Sequence, residues 1–453
     1  MTQQIDLLVI GGGPAGYSAA IRASHLGKTV VVAERNRLGG TCLNRGCIPT
    51  KALLESASFY AGLSSAASHG VALEVQSLDY GQVVRGKDQI VQNLVNGLQF
   101  LLKKRQIQVL EAEARFLPSG EVQVGDEVFQ PAKVLVATGT APWELPGLEV
   151  DGSLVVNSDQ LLDRPTLPQS LVIVGGGVIG CEFATIFASY GVQVTIVELM
   201  DRLLPTEDAE VSQALAREFK KRKIKVLTGA KVSGIERGEQ ALVTVEHKGR
   251  TSELAAELVL ISVGRRPVLP QGFSGELNAK GYVQVGGDFQ TSVPGVYAAG
   301  DIIGGVQLAH LAFEEGWAAV NNMFGEPARQ EWFVPACVYT KPEIASVGLT
   351  EAQAREEYGE VITAKYSLKG NGRAVIARED SGFVKFVAGP QGKVLGVHII
   401  GPQATELISG AALALEQGLT LEQWAQVVYP HPTVSESIKE AVLSALGCGL
   451  HSL

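Results

Sequence analysis

Cys42 and Cys47 are separated by four residues within Gly39-Gly40-Thr41-Cys42-Leu43-Asn44-Arg45-Gly46-Cys47-Ile48-Pro49-Thr50-Lys51, a run suited to redox chemistry. Its glycines let the backbone approach a flat ligand closely. Pro49 suits the first turn of a helix, where a missing N–H costs nothing. Cys47 is therefore expected beside a helix N-terminus, whose partial positive charge stabilises a thiolate. A disulfide between the two would close a very short loop and add little stability. That favours a working disulfide over a staple, although a metal clip or two unrelated buried thiols would fit the same spacing. Lys51 follows one helical turn after Cys47 and points to the same face, or simply into solvent.

A second group lies near the other end of the chain. His431 stands between Pro430 and Pro432, which hold its backbone in one conformation. Histidine is the natural proton carrier near neutral pH. Glu436, five residues on, could steady it. Thr433-Val434-Ser435-Glu436 is equally a capping box for a helix over residues 438–446.

The elements that must position these groups are legible in order. Residues 5–10 read as a buried strand, followed by Gly11-Gly12-Gly13-Pro14-Ala15-Gly16, a helix to about residue 26, and a strand over 29–33 ending at Glu34. This is a dinucleotide-binding βαβ unit: glycines at the turn, pyrophosphate at the helix N-terminus, an acid for the ribose hydroxyls. The unit recurs. A strand over 171–174 leads into Gly175-Gly176-Gly177-Val178-Ile179-Gly180, a helix to about residue 189, and a strand ending at Glu198. Glu34 and Glu198 stand the same 23 residues beyond Gly11 and Gly175. Two dinucleotides are therefore expected, with the first beside the cysteines. Glu198, where a basic cluster would receive a 2′-phosphate, favours NAD over NADP. Further elements are a helix over 90–104, short strands over 108–110 and 121–124, a strand over 133–139 ending in Ala137-Thr138-Gly139, and its counterpart over 258–264. Proline-rich crossings lie at 141–146 and 164–168. Beyond residue 333 there are alternating strands and helices and no glycine-rich loop.

Gly39–Lys51 resembles the active-site signature of the pyridine nucleotide-disulfide oxidoreductases, and within that family the branch that oxidises dihydrolipoamide. The resemblance runs from Ile5 to about Glu440. It implies an α/β protein with two Rossmann-like domains, for FAD (residues 1–145 and 265–333) and NAD (146–264), and a C-terminal α+β dimerisation domain (334–453). It makes Cys42 the outer thiol and Cys47 the inner one facing the flavin, and pairs Lys51 with Glu182. A charged residue early in the apolar helix around Val178 and Phe183 agrees with that role. His431 and Glu436 become the proton acceptor and its orienter. The FAD positions are Gly11, Gly13, Gly16, Glu34, Thr41, Lys51, Ala114, Thr138, Gly139, Asp301 and Ala309. The NAD positions are Gly175, Gly177, Gly180, Glu182, Glu198, Val232 and Gly264. From sequence alone Asp301, after Tyr297-Ala298-Ala299-Gly300, is an ordinary strand-to-turn aspartate; by resemblance it contacts the FAD ribityl chain. Family members commonly carry a second histidine where this chain has Tyr429.

The expected protein is thus a homodimer that takes electrons from a lipoyl-bearing protein, such as a 2-oxoacid dehydrogenase E2 component or glycine cleavage H protein, and reduces NAD. Mercuric reductases end in an adjacent cysteine pair, and here Cys448 is alone. Cys181 and Cys337 read as buried apolar residues. The remaining histidines make no ligand spacing, so no metal is expected.

Bulk properties agree. A chain of 453 residues allows about three domains. Net charge of −9 argues against a nucleic-acid surface. No apolar run reaches the ~20 residues of a membrane span, and the N-terminus has no basic leader. Five cysteines with one close pair suit a reducing cytoplasm.

Overall fold

A computed structural model describes residues 2–325, 329 and 331–451. Two sheets, built mainly of parallel strands, carry the two glycine loops. In the first, Gln108–Leu110, Val30–Ala33, Gln3–Ile10 and Glu127–Val136 lie side by side, with Val296–Ala298 also parallel to Glu127–Val136. In the second the order is Lys225–Thr228, Gln193–Glu198, Ser170–Val174, Leu258–Ile261, Val155–Asn157. Parallel strands covered on both faces must be apolar throughout rather than alternating. Leu7, Leu8 and Val9 are fully buried, as are Leu258, Val259 and Leu260.

The helices Pro14–His25 and Val178–Ser189 follow the two loops. Pro14 opens the first of them, where its fixed φ is pre-set for a helix. An antiparallel three-stranded sheet, Ala230–Arg237, Ala241–His247 and Arg250–Ala256, packs on the second unit. The two proline-rich crossings differ in structure. Thr140–Pro142 pairs with Arg265–Pro267 as a two-stranded link, whereas residues 164–168 form no strand or helix.

The C-terminal part is an antiparallel sheet ordered Ala336–Val338, Glu343–Gly348, Val394–Gly401, Phe383–Ala388, Ile362–Ser367. The helices Ala404–Glu416 and Glu436–Ala445 cover it, around a core containing Phe386, Ile399, Ile408 and Trp424. The first unit, the second unit and this sheet give the α/β architecture expected.

One helix begins well before its expected start at residue 90. Tyr80–Lys104 is capped by Asp79, whose side chain accepts the Gln82 N–H. Tyr80, Val84, Lys87 and Val91 are buried at helical spacing. Gly81 and Gly86 weaken the sequence signal, and tertiary burial overrides them. The last helix starts at Glu436 rather than 438. Among the described residues no helix is long and apolar enough to cross a membrane.

Candidate active site

The two nucleotide loops are built alike. Gly11 has φ +104°, and a Cβ there would lie 2.3 Å from the Ala137 carbonyl oxygen. Gly175 has φ +109° and would lie 2.4 Å from the Ser262 oxygen. Only glycine turns the chain at these strand ends. Gly16 and Gly180 sit inside the helices, where any side chain would strike the Gly11 and Gly175 carbonyls.

Glu34 accepts N–H groups from Gly12 at 2.8 Å and Asn36 at 2.8 Å. Glu198 accepts from Gly176 at 2.5 Å and Met200 at 2.7 Å. Each carboxylate is therefore fixed at its strand end by its own loop. Its remaining lone pairs are positioned for hydroxyls.

Both loops open into one cavity of about 1320 Å³. Cys42, Cys47, Lys51, Glu182, Glu34, Glu198, Asp301 and Val232 line it. So do Gly11, Gly13, Thr41, Thr138, Gly139, Ala309, Gly175, Gly177 and Gly264. The Thr138 hydroxyl and the Asn44 carbonyl oxygen are buried there without a hydrogen-bond partner. Orphaned polar groups on such a wall, below two glycine turns and two fixed carboxylates, fit dinucleotides. Ala114 is buried in the strand Ala114–Phe116 and does not line the cavity.

Gly39, at φ +92°, lets the chain enter the short helix Gly40–Arg45, and Cys47 is the first residue of the helix Cys47–Leu63. The two thiols are hydrogen-bonded to each other. That bond, with help from Lys51, lowers the Cys47 thiol to about 7 despite its burial. The same bond and burial push Cys42 upward. The proton of the pair thus rests on Cys42 and the negative charge on Cys47.

Lys51 Nζ lies 2.9 Å from both oxygens of Glu182, which is 3 % exposed. Glu182 also accepts the Tyr339 N–H at 3.0 Å, and Lys51 stands over the Tyr339 ring. A charge within an apolar helix is retained because a cation and a backbone donor satisfy it.

Several site residues were not evident in sequence. Thr140 donates its hydroxyl to Asp301 at 2.8 Å, and Arg265 donates to the Thr140 hydroxyl at 2.8 Å and its carbonyl at 2.8 Å. Arg265 also reaches the Thr41 hydroxyl at 3.4 Å. The residue after Gly264 thereby ties the second unit to Asp301 and to the segment beside Cys42. Glu315 holds the Gly300 N–H at 2.7 Å, and burial raises its carboxyl to about 7. Its only sequence signal was an acid in the apolar face of the helix Ala309–Met323. Cys181 is fully buried as expected; Cys337 is not, since it is half-buried on the cavity wall. Among the described residues no cluster of ligating side chains could hold a metal ion.

His431 and Glu436 stand apart from this cavity and do not line it. His431 Nδ1 is 2.9 Å from Glu436 Oε1, and the imidazole is 78 % exposed. Tyr429 turns away, its hydroxyl accepting from Trp424 Nε1 at 2.8 Å.

Two dinucleotide loops converging on an activated dithiol define a disulfide oxidoreductase served by pyridine nucleotide. The chain belongs to the pyridine nucleotide-disulphide oxidoreductase family, whose model matches residues 5–316, with the family's dimerisation domain at residues 334–442. It is 41% identical over 460 residues to a dihydrolipoyl dehydrogenase of Bacillus subtilis, covering 99% of this chain and 100% of that one. It is 40% identical to a dihydrolipoyl dehydrogenase of Chlorobaculum parvum, covering 98% and 97%. Among solved structures, LpdA of Mycobacterium tuberculosis superposes with a TM-score of 0.90 at 29% identity, covering 97% and 99%. The HOCl-induced flavoprotein disulfide reductase RclA of Escherichia coli follows at 0.86 and 27%, covering 96% and 99%.

Proposed function

We propose that the chain is a cytoplasmic, homodimeric dihydrolipoamide dehydrogenase that oxidises dihydrolipoamide on a lipoyl-bearing carrier and reduces NAD. Residues 1–145 with 265–333 hold FAD, 146–264 hold NAD, and 334–453 form the interface. The observation that carries this reading is the Cys42–Cys47 pair, with Cys47 lowered to about 7, in a cavity framed by both glycine loops. The full-length likeness to dihydrolipoyl dehydrogenases supports the substrate.

In the oxidised enzyme a substrate thiolate attacks Cys42 Sγ. The Cys42–Cys47 bond breaks, a mixed disulfide forms at Cys42, and Cys47 leaves as a thiolate. A thiol near pKa 7 is the better leaving group of the two. The partner subunit's His431 takes the proton of the substrate's second thiol, which then displaces Cys42 and closes the oxidised lipoyl ring. Glu436 fixes the imidazole and stabilises its charged form. Bound in the cavity, FAD would supply the acceptor for the dithiol's electron pair and NAD the final hydride acceptor. Lys51 keeps positive charge beside Cys47, and Glu182 holds Lys51. Thr140 and Arg265 hold Asp301 toward the first cofactor, and Glu198 takes the ribose of the second.

The dimerisation-domain match and the exposure of His431 support the dimer. His431 cannot serve a cavity that it does not line unless a second chain brings it there. Val428, three residues before it, is 91 % exposed, and Phe59, Ile376 and Leu413 are exposed elsewhere on the chain. Apolar residues of this kind are expected in an interface.

Purified protein tests the reading. Dihydrolipoamide-dependent NADH formation, lost in Cys42→Ser, is the expected result. A yellow protein that NADH reduces but that turns over no dihydrolipoamide would leave the family intact and remove this substrate.

A further inference from the structure

Four polar residues stand in one row across the C-terminal sheet. Ser346 is in register with His398, His398 with Lys385, and Lys385 with Lys365, one from each of four strands. The row meets the segment leading into the helix Ala209–Lys221 of the second nucleotide unit. There Asp208 lies 3.0 Å from Lys385, and Glu210 lies 3.0 Å from Lys385 and 2.5 Å from Lys365. Glu351 lies 2.7 Å from Lys385, with Arg355 holding its other side at 2.8 Å. Three cations meet three carboxylates, so the seam is neutral in itself.

Glu207 is the acid left over. It is 5 % exposed, and its Oε2 has no hydrogen-bond partner. The Ser346 hydroxyl bonds its carboxyl, and among the described residues no ion pair neutralises it. His398, 1 % exposed, donates Nε2–H to the Leu349 carbonyl at 3.0 Å, which leaves Nδ1 a lone-pair acceptor without a partner. Burial keeps that imidazole neutral, so it supplies Glu207 with no positive charge. An isolated buried carboxylate is costly, which favours its neutral form. Burial accordingly pushes the Glu207 carboxyl upward.

Glu207 lines the same cavity as both glycine loops. The Cys337 thiol is close enough to feel both Glu207 and Lys51. Two residues further along the chain, Tyr339 donates its N–H to Glu182. On the proposed function, hydride transfer would take place beside Lys51 and Glu182, the pair that Cys337 and Tyr339 link to Glu207. The oxidised nicotinamide ring carries a positive charge and the reduced ring carries none.

We propose that Glu207 is a charge-sensing residue of the pyridine-nucleotide site: it releases its proton when the oxidised nicotinamide arrives and keeps it when the reduced one does. The proton leaves to solvent and no electron moves. This rests on the reading of the second unit as an NAD site. Glu207 has Asp208 beside it on its own segment and Ser346 and Cys337 on the sheet, with His398 and Lys385 further along the row and Lys51, Glu343 and Glu406 around Cys337. Burial pushes Cys337 up to about 11 and keeps His398 neutral, and Asp208 and Lys385 pair with each other, so Glu207 is the group free to exchange a proton.

The test measures dissociation constants of NAD⁺ and of 1,4,5,6-tetrahydro-NAD, a neutral analogue that cannot give hydride. Oxidised FAD-loaded protein is titrated from about pH 6 to about pH 8, as wild type and as Glu207→Gln, which keeps the shape and the acceptor for Ser346. One coupled proton gives up to about tenfold tighter NAD⁺ binding per pH unit below the carboxyl's own pKa. The expected result is that slope in wild type, a flat profile in Glu207→Gln, and flat profiles for the analogue in both. Equal NAD⁺ slopes in the two proteins would overturn the role of Glu207. Absence of saturable NAD⁺ binding to either would overturn the nucleotide assignment on which it rests. Should Glu207→Gln fail to fold, calorimetry of the wild type in two buffers counts the proton directly: release with NAD⁺ and none with the analogue supports the proposal, and equal counts contradict it.

Discussion

One carboxylate oxygen of Glu436 lies 2.9 Å from His431 Nδ1, while the other accepts the Thr433 N–H at 2.9 Å. The same side chain therefore closes half of a capping box and orients the imidazole. Thr433 does not complete the box, because its hydroxyl donates to the Pro430 carbonyl at 2.8 Å. Burial alone would raise the Glu436 carboxyl, but the Thr433 N–H and His431 hold it below its ordinary range.

Glu436→Gln keeps an acceptor for Thr433 and removes the charge beside His431. We expect kcat for dihydrolipoamide to fall about 10–100-fold, within the range of general-base effects, with the melting temperature nearly unchanged. Thermal melts and pH–rate profiles check this. A large loss of stability with normal turnover would reduce Glu436 to a helix cap.

The thiols should titrate in the order that the structure sets. In reduced protein, alkylation of Cys47 by iodoacetamide should rise through about pH 7, because its thiol is lowered to about 7. Cys42 should lag, since its thiol is pushed upward. Cys47→Ser should abolish the long-wavelength absorption of the reduced holoenzyme, whereas Cys42→Ser should retain it without turnover. Reversed spectra would exchange the inner and outer labels.

Lys51→Met tests the cation beside Cys47. Lys51 is one of the groups that lowers the Cys47 thiol, so its removal should move that titration upward. It also leaves Glu182, 3 % exposed, with only the Tyr339 N–H as partner. Removing one member of a buried pair costs about 3–5 kcal/mol, and the partly exposed position of Lys51 puts the expected loss at or below the lower end. An unshifted Cys47 titration would separate Lys51 from the thiol chemistry.

Glu198→Arg should lower kcat/KM for NAD and shift the NAD-to-NADP preference by at least about tenfold, as loss of bidentate hydroxyl recognition predicts. The carboxylate also holds the Gly176 and Met200 N–H groups. Part of the NAD loss therefore reflects a loosened loop, and Glu198→Gln should show that part alone. An unchanged ratio in Glu198→Arg would remove Glu198 from specificity.

Local patterns were legible, and contacts across the chain were not. Both glycine turns, their terminal acids and the cysteine run follow from residue type and short spacing, so their geometry could be read in order. The Lys51–Glu182 pair spans 131 residues, and only the charge of Glu182 within an apolar helix hinted at it. Arg265 and Thr140 gave no local signal, and Glu315 only that of an acid on an apolar helix face, because their roles arise where separate elements converge. Tyr80–Lys104 began earlier than its pattern because Gly81 and Gly86 interrupt a face that tertiary packing nevertheless buries. Cys337 read as core, yet its strand forms the cavity wall.

The most direct measurement is complementation in a mixed dimer. His431 is 78 % exposed and absent from the cavity that holds Cys42, so each site is to be completed by the partner chain. A Cys42→Ser chain and a His431→Gln chain carry different tags, are co-expressed, and the doubly tagged dimer is isolated. One of its two sites then has both lesions, and the other pairs intact Cys42 and Cys47 with an intact His431. We predict dihydrolipoamide:NAD activity near half that of the wild-type dimer, far above either parental mutant. Activity at the level of the single mutants would show that Cys42 and His431 act within one chain, and would contradict the shared site.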